Sequence, residues 1–191
     1  VQSGDTRWRV DLGIRGTRGF AWLAGLNIEQ STVFDALGDQ YRPLSQATVK
    51  HAVFTGKKIS GVYDWQSLSA RWQGDVKKTR TAPVPLQSGD MSALLMNLAV
   101  IRDAQPGKAL DYRVVDNGRA RDYHYAVAEQ TEIVNVEDLS YDAMRVARTN
   151  GSGDETVFWV ADGVPTPVRI LQRENGQDTL DLRLVEYQGV K

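Results

Sequence analysis

Two histidines, a scatter of carboxylates and one glycine-serine tip are the residues of this chain whose types could do chemistry. His51 and His124 both fall in alternating, strand-like stretches. Neither has a second ligand at i+2 or i+4, so their spacing builds no metal site. Asp64, Asp75, Asp90, Asp103 and Asp162 could supply the two carboxyl groups that a glycoside hydrolase holds roughly 5 to 9.5 Å apart. No spacing selects two of them, and Asp90 also suits a helix N-cap and Asp162 a turn. A nucleophile elbow, an H-E-x-x-H pair and a phosphate loop are all absent. Thr55-Gly56-Lys57-Lys58 lacks the glycines of a phosphate loop and reads as a hairpin turn, and Gly151-Ser152-Gly153-Asp154 has the composition of a hairpin tip. With no cysteine in the chain, disulfides, zinc-thiolate sites and cysteine nucleophiles are excluded. This inventory points to no enzyme, no cofactor and no metal.

Arg7, Arg9, Arg15 and Arg18 make the N-terminal stretch basic, and Lys77, Lys78 and Arg80 form a second basic cluster. Trp8 and Trp22 could stack on bases beside the first. A formal net charge of −1 over 191 residues and the lack of any nucleic-acid-binding signature favour a solvated strand face, with no nucleic acid as partner. Hydrophobic content of 41% with 25% charged residues is that of a globular protein. No segment reaches the roughly 18 apolar residues of a membrane span. The sequence opens on Val1 rather than methionine, and the expectation is that a leader has been removed.

What must position these residues is mostly strand. Trp8, Val10, Leu12 and Ile14 alternate with charged residues, as in a half-buried strand. Glu29 to Phe34, Val49 to Phe54, Ile59 to Trp65 and Leu68 to Trp72 continue the pattern. After the proline-bearing loop from Lys77 to Gln87 comes the one convincing helix, 90–103, with Asp90 as its cap. Met91, Leu94, Leu95, Leu98 and Ile101 line its main face, while Ala93, Met96 and Val100 leave only a strip through Ser92 and Asp103 for water. Such a helix is buried on most sides. Past Pro106-Gly107 the chain is strand and hairpin again, with Asn117-Gly118 as the clearest hairpin turn. Thr131 to Val136 is read as a strand separate from Asp122 to Val127.

The sum is about ten short strands with a turn signal every 8 to 12 residues. The expected architecture is mainly β: one strongly curved antiparallel sheet, a half-barrel, wrapped around the central helix in a single domain over 1–191. Phe20 to Ile28 is apolar without a clean period, either a short buried helix or an apolar loop. Together with the helix it gives more apolar surface than a sheet of that size must have to fill itself. That surplus is the sequence's own pointer to function.

Ser31-Thr32-Val33-Phe34, then Arg42-Pro43-Leu44, Tyr63-Asp64-Trp65, the Asp90-Met91-Ser92-Ala93-Leu94-Leu95 segment, the Trp159 to Ile170 stretch with Ala161-Asp162-Gly163 and Pro167-Val168-Arg169, and Leu180-Asp181-Leu182 follow one another in an order that resembles a family of exported Gram-negative proteins. That family is known as domain of unknown function 3108. The resemblance implies a periplasmic protein with a fold similar to the Lol-system lipoprotein carriers, and it supplies no catalytic residue. It also implies one or two further strands before Trp8, and hence a shortened or trimmed N-terminus.

The expectation is therefore a non-enzymatic envelope protein holding an apolar ligand, a lipid or the acyl chain of a lipoprotein, in the concave face of its sheet. Phe20, Trp22, Leu23 and Leu26 would form the mouth and Met91, Leu94, Leu95 and Leu98 a movable floor, because methionine-bearing surfaces repack around varied guests. The alternative is a scaffolding module that pairs by a strand edge with another envelope protein. A glycan hydrolase is the third reading.

Overall fold

The computed structural model describes residues 7–16, 25–53 and 55–186. Strand makes up 63% of them, so the protein is mainly β. The strands are β1 (Trp8–Arg15), β2 (Asn27–Leu37), β3 (Gln40–Ala52), β4 (Thr55–Asp64), β5 (Ser69–Gly74), β6 (Val84–Pro85), β7 (Ala109–Asp116), β8 (Arg119–Val136), β9 (Leu139–Arg148), β10 (Asp154–Ala161), β11 (Arg169–Glu174) and β12 (Gln177–Arg183), with a helix α1 (Ala93–Asp103) between β6 and β7. They form two six-stranded sheets, β1 to β6 and β7 to β12, each ordered as its strands occur in the chain. One curved sheet of about ten strands was the expectation. Short-range turn signals reveal strands but not which sheet receives them. β8 also runs unbroken where two strands were expected, with a register shift between Val127 and Thr131 that lets it stay one strand.

The chain divides into two compact units: Val1–Met96 with Arg113–Arg121, and Asn97–Tyr112 with Asp122–Lys191. In the first unit, the sheet β1 to β6 packs Tyr63, Ala70, Trp72, Val84 and Leu86 with Val115. Trp72 lies across Gly61 of the neighbouring strand, where a Cβ would sit 2.5 Å from the indole nitrogen. The Asn117-Gly118 turn has positive φ at both residues, 48° and 71°, the hairpin geometry expected of Asn-Gly. Here glycine is also required for space, since a Cβ at 118 would meet the Arg80 carbonyl oxygen at 2.1 Å.

In the second unit the core is Val134, Val136, Ala143, Val157, Trp159, Ala161, Val168 and Leu171, apolar throughout. Alternation on β8 (Val134, Val136) and β10 (Val157, Trp159, Ala161) supplies most of it, because every second side chain points to the same face.

The helix begins at Ala93 rather than 90. Asp90 is not its cap. The Ser92 hydroxyl accepts the backbone N–H of Leu95 at 3.2 Å, the bond an N-cap makes to the third helical residue. The same hydroxyl shares a 3.0 Å hydrogen bond with Thr32 of β2, so Ser92, expected to face water, is 1% exposed. Asp90, equally buried, accepts the N–H of Gln87 at 2.8 Å and pairs with Arg113. A buried carboxylate needs that cation more than the helix needs a second cap.

Candidate functional site

Antiparallel pairing sets side chains of one sheet face into rows across the strands. On the inner face of the first sheet, one row runs Val10, Thr32, Gln46, Gly61, Trp72. The next is Leu12, Gln30, Thr48, Ile59, Gly74, and the last is Ile14, Ile28, Lys50, Lys57. The three rows differ in character. The first is closed over and largely buried. The other two are open: the second is neutral, with Thr48 and Ile59 where β3 meets β4, and the third is apolar on β1 and β2 and cationic at Lys50 and Lys57.

The closed part is a polar cluster. The Tyr63 hydroxyl lies 2.7 Å from both Oε1 of Gln46 and the carbonyl oxygen of Val115. The Gln46 amide nitrogen in turn donates to Asp116. Burial drives the Tyr63 phenol well above its ordinary value, and the carboxylates of Asp116 and Asp90 push it further. Burial also raises Asp116, although hydrogen bonds from Gln46 and from the backbone N–H groups of Asn117 and Ala93 oppose the shift. Within this cluster Tyr63, Gln46 and Asp116 each have a hydrogen-bond partner, which is what low-dielectric burial demands. The cluster can fix geometry. It offers no reacting atom to solvent.

The open part has two features. Val10, Leu12 and Ile14 of β1 and Ile28 of β2 are all only half-buried, although they lie on the same face as the core. Beyond them lies a pocket of about 140 Å³, lined by Thr48, Lys50, Lys57, Ile59, Asp75, Lys77 and Asn117. A second concavity, about 270 Å³, opens at the turn from β9 to β10 around Gly151, Ser152 and Gly153. It is the expected hairpin tip rather than a built site.

Of the expected ligand-binding residues, Phe20, Trp22 and Leu23 lie outside the described residues. Leu26 is half-buried just before β2. Met91, Leu94 and Leu95 are buried together in the first unit, at 8%, 8% and 0% exposure. Leu98 is half-buried and belongs to the second unit. The five carboxylates are mostly engaged. Asp64 accepts the N–H groups of Gln66 and Ser67 and the Ser67 hydroxyl, Asp75 takes the Lys58 N–H, and Asp103 holds Arg102 and the Tyr112 hydroxyl. With Asp90 on Arg113, only Asp162 stands exposed in its turn without such a role. His124 contacts the exposed Asp111.

Sequence reasoning found Lys77 as part of a basic cluster but missed Lys50 and Lys57. Their alternation with Thr48 and Ile59 was visible. That the two stand opposite each other is a property of register, which the sequence does not print. Likewise nothing local links Gln46 to Asp116, 70 residues on.

A family with the description "Protein of unknown function (DUF3108)" matches residues 1–183. No curated protein and no solved structure matches the chain.

Proposed function

The chain belongs to the DUF3108 family, and from that premise we propose that it is a non-enzymatic protein of the bacterial envelope that holds an acyl chain on the inner face of its first sheet. The periplasmic location follows the resemblance drawn from the sequence. The observation that carries the binding reading is the half-buried row of Val10, Leu12, Ile14 and Ile28. Apolar surface left in water forgoes about 25 cal/mol for each Å² not covered. A contiguous strip of this kind, on the face that elsewhere forms the core, is suited to a guest of extended hydrocarbon. Met91, Leu94 and Leu95 stand as core at the helix start, so the floor of the site moves toward β1 and β2 in this reading.

Native mass spectrometry of protein taken from its own envelope, with uptake of a fluorescent acyl probe, tests the proposal. Uptake by the wild-type protein that is lost in Leu12→Asn and Ile28→Asn, both still folded by circular dichroism, is the expected result. Neither co-purified lipid nor probe uptake would overturn it. The scaffold alternative draws support from β1, which is the outermost strand of its sheet among the described residues. In-cell crosslinking from β1 to one stoichiometric protein, with no lipid bound, would establish that reading instead.

A further inference from the structure

We propose that the Lys50–Lys57–Lys77 pocket binds a phosphomonoester dianion, the headgroup end of the ligand whose hydrocarbon lies along Ile28 and Ile14. This deepens the acyl-binding reading and rests on it for the hydrocarbon half alone. Four observations carry it. First, Lys50 and Lys57 are direct cross-strand partners on one face, an arrangement of like charges that costs stability. Lys77 lines the same pocket, so three lysines border it with one carboxylate, Asp75.

Second, none of the three lysines forms an ion pair among the described residues. Asp75 is already turned to the Lys58 backbone N–H at 2.7 Å. The net formal charge left to the pocket is two positive, the complement of a phosphomonoester at neutral pH, which carries about −1.5 to −2.

Third, the Asn117 side-chain oxygen is buried with no hydrogen-bond partner, and Asn117 lines the pocket. As it stands the amide can accept from a protonated phosphate or glycerol hydroxyl. Turned about χ2 it donates to an oxyanion from the same position. An orphaned buried polar atom calls for a partner.

Fourth, the dimensions fit a headgroup. At about 30 Å³ for each water, 140 Å³ holds four or five waters. It is smaller than the roughly 300 Å³ from which sites for whole small molecules begin. The row Ile14, Ile28, Lys50, Lys57 spans three strand spacings, roughly 14 Å at about 4.8 Å each. Cationic and apolar ends therefore lie within reach of one amphiphile.

Calorimetry at low ionic strength with inorganic phosphate, a lysophosphatidic acid and an uncharged monoacylglycerol of the same chain tests both halves. Expected is binding of the lysophosphatidic acid at least tenfold tighter than the monoacylglycerol. That preference should vanish in Lys50→Gln/Lys57→Gln, persist in Lys78→Gln, and shrink with added salt. Without ligand the double variant should melt about 1 to 3 °C higher, since the repulsion is relieved. A merely structural lysine pair would not combine higher stability with lost binding. Equal affinity for the two lipids overturns the anion site while leaving the acyl reading intact. Binding of inorganic phosphate as tight as that of the lysophosphatidic acid, and lost in the double variant, upholds the anion site and overturns its acyl half. No binding of either phosphate compound overturns the anion site outright.

Discussion

The two sheets of this protein are equal in strand number and opposite in how they treat charge. In the second unit, charge is consumed at the surface and excluded from the core. Arg145 and Arg173 meet at Glu155, at 2.9 and 3.2 Å, and Arg169 and Arg183 meet at Asp181, at 2.7 and 3.2 Å. Beneath them lies an apolar cluster of Val, Ala, Leu and one Trp. In the first unit a tyrosine, a glutamine and two aspartates sit inside, apolar residues of β1 and β2 lie half in water, and Lys50, Lys57 and Lys77 have no anionic partner among the described residues. Saturated interactions mark a region that is finished by folding. Polar groups brought inside, and surfaces left unmatched outside, mark one whose interactions are completed by something else.

The sharpest way to break that contrast is to remove Arg113. Its loss leaves the Asp90 carboxylate buried without its cation, and stability in urea should fall by about 3 to 5 kcal/mol. A drop below 1 kcal/mol would mean the first unit tolerates stranded charge and the distinction fails. In the second unit Leu171→Ala should cost about 2 to 5 kcal/mol through a cavity in the dry core, while acyl-probe and lysophosphatidic acid affinities measured on the folded protein stay unchanged. A shift in those affinities would tie the second core to the site.

Tyr63→Phe should cost less, about 1 to 3 kcal/mol, because it strips a donor from the Gln46 and Val115 oxygens without leaving a cavity. The smallest effect is one of pH. Asp116 has a folded-state value above its ordinary 3.8, so its ionised form costs stability that is absent below that value and fully present above the raised one. An asparagine carries no such cost. The stability of Asp116→Asn relative to wild type should therefore grow as pH rises from about 4 and then level off. A difference that stays flat across acid titration would remove the linkage.

Local order was well written in the chain. Alternation at Trp8, Val10, Leu12 and Ile14 gave β1 as found, and the Asn117-Gly118 turn needed no tertiary information. The helix was legible in position but not at its start, because Ser92 and Asp90 are both good caps and the choice depended on Thr32 and Arg113. Whether Thr131 begins a new strand depended on a register shift that β9 accommodates. The site was least legible. Its lysines face each other only once β3 and β4 are paired, and its apolar strip is exposed only because nothing among the described residues fully covers β1. Spacing within a strand is a local property; what stands across from it is not.

The sheet order has a last consequence, for how the molecule comes to be folded. Every strand of both sheets pairs with its neighbour in sequence, so each closure spans a short loop and costs little entropy. Such meanders can zip hairpin by hairpin while the rest of the chain is still unformed. The Thr32–Ser92 and Gln46–Asp116 bonds, across 60 and 70 residues, can form only after the strands they join are in place. They should have φ-values near zero, acting as latches that set how slowly the protein opens rather than how fast it forms.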